Sequence, residues 1–256
     1  MMPDSIDLTI IFPALLAGLL VLATHVPLGA QVLKRGIVFI DLAIAQIAAL
    51  GVIMAGMADL DPQGWMVQVA AGSAAVLGAF LLTWTEKRWP EVQEAQIGVL
   101  FVLAATGGLL LLAHNPHGGE HLRDLLSGQI LWVSYAQLLL PAIGTVAILL
   151  ALRFFNARIG RLGFYLIFAL AVTASVQLVG VYLVFASLIV PSLGARNHPE
   201  ARRLPLAFGI GIGAYVIGLV LSLLFDLPSG ALIVWCLAGL AVLVYSLGPK
   251  AEVKTI

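Results

Sequence analysis

The sequence predicts an all-α fold, a polytopic membrane bundle of about nine transmembrane helices with one pair short or broken. Three observations lead there. Only 10% of the 256 residues are charged and 61% are hydrophobic, with a mean hydropathy of +1.07, whereas a soluble domain is about 25% charged. Apolar runs of roughly the 20 residues a helix needs to cross the hydrocarbon core recur along the whole chain. Lysine and arginine gather at alternate ends of those runs, as they do where loops face the cytoplasm. So much apolar surface cannot face water on all sides, so most of the length has to lie in a bilayer as a single transmembrane domain, residues 1–256.

The elements follow in order. Met1 to Asp7 is short and acidic and has no basic leader, so the first run, 8–26, reads as a retained span. Further runs lie at 36–57, 66–84, 96–113 and 130–152, and the last two at 206–225 and 229–247. Between Arg161 and Arg196 lies a longer run of about 34 residues, too long for one ordinary span. Gly180 sits at its centre in VQLVGVYLV, which predicts two short or broken helices. Trp65, Trp84, Trp89 and Trp132 fall near predicted span ends, where amphipathic rings favour the interface.

The charges orient this arrangement. Lys34 and Arg35, Lys87 and Arg88, Arg153 to Arg161, Arg196 to Arg203, and Lys250 with Lys254 all fall at alternate span ends. The positive-inside rule makes that side the cytoplasm, with the amino terminus outside and the carboxyl terminus inside. An even span count would break the pattern, so the charges independently favour splitting the long run. Arg123 alone among the basic residues falls outside.

Several functions are disfavoured. Zero net charge argues against a nucleic-acid partner. The single Cys236 rules out an internal disulfide and a cysteine metal cluster, and reads as a packing residue. There is no P-loop lysine motif, HExxH or GxSxG, so the sequence offers neither that route to ATP nor a familiar hydrolytic centre. The chain is expected not to be an enzyme.

Three stretches go beyond a generic bundle. VGVYLVFASLIVPSLGAR (Val179 to Arg196) is an apolar helix expected to end at Pro191 and lead into the polar, basic ARNHPEARR. EAQIGVLFVLAATGGLLLL is followed by DLLSGQILWVS. DLPSGALIV (Asp226 to Val234) opens the last span with a Pro-Ser-Gly turn. Together, in this order and spacing, they resemble the membrane permeases of ABC importers for zinc, manganese and related divalent ions, over nearly the whole chain. The resemblance implies a homodimer of permeases in a bacterial inner membrane. It also implies a cytoplasmic ATPase subunit that holds the ATP, an extracytoplasmic metal-binding protein and surrounding membrane lipid. A divalent metal ion would be the cargo, with no covalently bound cofactor. Ala195, Arg196, His198, Arg202 and Arg203 occupy the place where the family has a short helix that engages the ATPase. An ordinary positive-inside loop is the other reading of that segment. An ion-gradient-driven secondary transporter, or a permease for another metal or a metal chelate, is the alternative for the chain.

The stretch FIDLAIAQIAALG (Phe39 to Gly51) departs from the family pattern. The family has an aspartate and a histidine four residues apart here, one turn apart on one helix face. Aligned on Gly51, Gln46 takes the histidine's place and Leu42 the aspartate's, with Asp41 one residue early. Five residues at about 100° each put Asp41 and Gln46 roughly 140° apart, too far round a straight helix to grip one ion. Asp41 reads either as a carboxylate paired with Lys34 or another base, or as a lining residue of an ion path. Gln46 reads as an interhelical hydrogen-bonding group or a neutral ligand. Ala43, Ala45, Ala48 and Ala49 suit close helix packing. His114, His117, Glu120 and His121 in HNPHGGEH form a second candidate set, three imidazoles and a carboxylate in an outer loop. A solvated polar loop is the other reading of that tract. His25 is expected at a cytoplasmic helix end, like His198.

Overall fold

The computed structural model describes residues 8–58, 64–112, 126–128, 130–155 and 160–249. Among these, nine α-helices follow one another: α1 (Leu8–Arg35), α2 (Ile40–Met57), α3 (Trp65–Arg88), α4 (Gln93–Leu112), α5 (Tyr135–Phe155), α6 (Arg161–Val179), α7 (Val181–Gly194), α8 (Glu200–Phe225) and α9 (Ser229–Leu247). No strand occurs among the described residues. Eight helices are long and apolar enough to cross a membrane; α7, with 14 residues, is the short one. At 1.5 Å per residue it extends about 21 Å, less than a full hydrocarbon core.

The break at Gly180 is where the sequence predicts it. The residue caps both α6 and α7 with φ 80° and ψ 163°, a backbone region essentially reserved for glycine. Other boundaries move. α1 continues nine residues past the expected end at Val26, through His25 and Pro27 to Arg35. A proline inside a membrane helix is tolerated where neighbours close in on the freed backbone, and α7 does so: Gly29 lies directly against the Leu188 carbonyl. α7 likewise passes through Pro191 and ends at Gly194. The basic stretch is not a separate short helix. Residues 195–199 form a turn, and Arg202 and Arg203 stand in the first turn of α8.

The helix ends sort by charge. Lys34 at the end of α1 pairs with Glu200 at the start of α8, 3.2 Å apart. Arg161 at the start of α6 pairs with Glu86 near the end of α3 at 3.5 Å. The Arg35 guanidinium lies 4.0 Å from the centre of the Phe164 ring. These contacts draw the basic termini to one end of the bundle. The core between the ends is apolar and close-packed around α1, α2, α6 and α7, with Phe164, Tyr165, Phe168 and Tyr215 among its largest buried side chains.

Candidate functional site

The three motif stretches meet in space at the end of the bundle away from the basic termini. Gly128 and Gly180 pack backbone to backbone, and a Cβ on either would run into the other's main chain. A Cβ on Gly230, in the third stretch, would meet the Ser127 carbonyl oxygen at 2.7 Å. Gly128 has φ 64° and Gly180 φ 80°, so both sites favour glycine by torsion as well as by space. Asp226, at φ 52°, turns the chain into the Pro228-capped start of α9, and Ser222 donates to the Leu227 carbonyl at 2.6 Å. This junction gives a physical reason for the three stretches to occur together.

α2 runs through the middle of the protein. Ala43, Ala45, Ala48 and Ala49 are buried, which lets neighbouring helices approach closely. Asp41 is only 1% exposed, and neither carboxylate oxygen has a hydrogen-bond partner among the described residues. The pairing with Lys34 is therefore ruled out; that ammonium reaches Glu200 instead. Gln46 is 6% exposed and also buried. The two are five positions apart on a regular helix, so they do not form a single-ion pair.

A polar layer that sequence reasoning missed closes the basic end around α2. Glu94 at the start of α4 accepts a hydrogen bond from the Phe39 backbone N–H at 3.2 Å, capping α2. Gln93 donates to the Tyr165 hydroxyl. One oxygen each of Glu86 and Glu94 is buried without a partner. Glu94, at the start of the second stretch, and Gln93, just before it, stood in plain view, but nothing in one sequence tells which residues they bond.

His25 is not at a helix end. It lies fully buried in the interior of α1. Its Nδ1 lies 3.0 Å from both the Val21 carbonyl and the Thr24 hydroxyl, and its Nε2 is buried without a hydrogen-bond partner among the described residues. Nearby in the core, the Ser187 and Tyr215 hydroxyls bond each other at 2.9 Å. Toward the motif junction, α1, α3, α5 and α6 line an open cavity of about 890 Å³ whose polar lining includes Thr24, Gln68, Gln137, Thr145, Ser175 and Gln177.

The turn after α7 is braced. Ala195 is fully buried. His198 Nε2 donates to the Val244 carbonyl at 3.0 Å. Arg196 reaches the Tyr245 hydroxyl at 3.3 Å, and Arg203 Nε donates to the His198 carbonyl at 2.8 Å. The turn thus ties α7, α8 and the end of α9 into one unit. His114, His117, Glu120 and His121 lie outside the described residues. Among the described residues no group of three or more His, Cys, Asp or Glu side chains is placed to hold a metal ion. Cys236 is partly buried against the core, as a packing residue.

The fold and its apolar helices define a multi-pass membrane protein with buried polar groups in its core. The chain belongs to the ABC 3 transport family, whose model matches residues 7–160 and 155–248. It is similar to the manganese transport system membrane protein MntC of Halalkalibacterium halodurans, 27% identical over 94% of this chain and 88% of that protein. It is also similar to the high-affinity zinc uptake system membrane protein ZnuB of Haemophilus influenzae, 24% identical over 91% of this chain and 96% of that one. A probable iron transport system membrane protein of Haemophilus influenzae is 24% identical over 86% of this chain and 87% of its own length. Among solved structures, PsaBC from Streptococcus pneumoniae in complex with Fab has the same fold, with TM-score 0.77 and 21% identity over 95% of this chain and 94% of that one.

Proposed function

We propose that this chain is the permease subunit of an ATP-driven importer of divalent metal ions in a bacterial inner membrane. The observation that carries the reading is near full-length similarity to permeases named for manganese and zinc transport. In this reading the basic end faces the cytoplasm, the amino terminus lies outside and the carboxyl terminus inside. Residues 1–256 act as one transmembrane domain. Two copies pair in the membrane, two ATPase subunits dock below, and a metal-binding protein delivers the ion from outside. The permease itself makes and breaks no covalent bond.

The braced turn is the coupling element. Arg196, Arg202 and Arg203 meet the ATPase, Ala195 packs the turn from beneath, and the ties of His198 and Arg196 to α9 pass its movement to α7, α8 and α9 together as a rigid body. Asp41 lines the cytoplasmic half of the ion path, and Gln46 offers a carbonyl further in. Carboxylate and amide oxygens suit harder ions, so manganese is the preferred cargo and zinc the second. The outer His114, His117 and His121 gather ions for delivery.

The test is metal uptake by proteoliposomes holding the permease, its ATPase and the loaded delivery protein. ATP-dependent uptake of manganese that stops when the ATPase is inactivated supports the reading. Uptake that ignores ATP and follows a proton or sodium gradient refutes it.

A further inference from the structure

A second cavity, of about 440 Å³, opens at the basic end between α1 and α8. Its rim carries Lys34, Arg196 and Arg203, with Glu200 as the only carboxylate among the described residues there. Glu200 is already engaged by Lys34, so the rim keeps a net positive charge. Below the rim the walls are Pro27, Ala30, Leu33, Leu204 and Ala207, with Ser192 of α7 adding a hydroxyl that faces the Val26 carbonyl at 3.5 Å. Pro27 and Ala207 lie seven positions from Lys34 and Glu200 along their helices, so the apolar part runs about 10 Å deep.

Chemistry narrows the occupant. A divalent cation leaving the protein would meet three cationic side chains, so this is not the ion's exit. A soluble anion such as a nucleotide would find, below the rim, walls that are apolar apart from Ser192. What fits both parts is an amphiphile with a negative head and an apolar tail. Basic pockets between membrane helices on the cytoplasmic side hold anionic lipid head groups in this way. We infer that the α1–α8 cleft binds one anionic phospholipid of the inner leaflet. Its phosphate sits on Lys34, Arg196 and Arg203, and an acyl chain lies along Ala30, Leu33 and Leu204. The inference rests on the proposed orientation, with the basic end cytoplasmic. Bound there, the lipid touches the turn assigned to the ATPase, so anionic lipid and coupling meet at the same arginines.

The test uses the permease–ATPase complex, delipidated in detergent and titrated with phosphatidylglycerol or with phosphatidylcholine of the same acyl chains, read by native mass spectrometry. The expected result is one phosphatidylglycerol retained per permease, at least fivefold tighter than phosphatidylcholine. The double variant Lys34→Gln/Arg203→Gln should lose that preference. Ala30→Phe fills the apolar part without touching a charge and should weaken retention at least fivefold. Thermal melting of each variant confirms that it is folded. Equal retention of the two lipids, or retention unmoved by both variants, overturns the inference. Displacement of the lipid by inorganic phosphate alone overturns it too, as does a cross-link from Ala30→Cys into the ATPase rather than to a lipid photoprobe. Metal uptake measured on the same wild-type preparation separates the two readings. Uptake without lipid preference removes only the lipid site, and lipid preference without ATP-driven uptake removes the transport reading.

Discussion

Asp41 is a carboxylate stripped of water with no donor to replace it. Insertion scales put an aspartate at mid-span at about 2.5–3.5 kcal/mol, and its site near the start of α2 softens that only in part, because the helix N-terminus favours negative charge. In the proposed reading this stability cost is retained for ion passage. Asp41→Asn is therefore expected to raise the melting temperature of the complex while lowering ATP-driven metal uptake at least tenfold. Lower stability with normal uptake would make Asp41 a structural residue. The Ser187–Tyr215 pair gives the opposite case, a buried polar contact that is satisfied. Tyr215→Phe leaves the Ser187 hydroxyl without that partner and should cost about 1 kcal/mol in thermal or denaturant unfolding, with uptake little changed.

At the scale of elements, Gly180 decides how α6 passes into α7. An alanine there would hold a torsion that costs about 1–3 kcal/mol, and its Cβ would strike the Gly128 backbone. Gly180→Ala should lower the melting temperature and the yield of folded permease, and Gly128→Ala should do the same; a well-folded, normally melting Gly180→Ala protein would contradict the junction. Most helices were legible from the sequence because hydropathy and the positive-inside pattern act over whole spans. The break at Gly180 and the turn before Ser229 were legible because glycine and proline mark them. The length of α1 was not, since the apolar run stops at Val26 with His25 expected at its end, while the structure buries Thr24 and His25 in the helix interior. The same error placed His25 at a helix end. Asp41 was visible as an anomaly, but its isolation was not: Lys34 is close in sequence, yet the fold carries it to Glu200. The hydrogen bonds of Glu94 to the Phe39 N–H and of Gln93 to the Tyr165 hydroxyl join elements far apart in sequence, which periodicity cannot reveal.

Over the whole molecule, the two ends are built differently. One is a glycine-packed junction of the three motif stretches, the other a basic surface braced by His198, Arg196 and Arg203. Arg202 and Arg203 are both exposed in the first turn of α8, so they are available to a partner. Reversing both, Arg202→Glu/Arg203→Glu, should cut copurification of the ATPase at least tenfold while the permease alone melts normally. Undiminished copurification would move the docking surface elsewhere.

The central claim is that this bundle passes a divalent metal inward under the drive of ATP. Its most direct measurement is manganese uptake into proteoliposomes carrying the complete complex, with ATP on the side of the basic end. Uptake is expected to require ATP, to stop with an inactivated ATPase and to fall at least tenfold in Asp41→Asn. Manganese entry at the same rate without ATP, or no entry of any divalent metal with a bound and active ATPase, would contradict it.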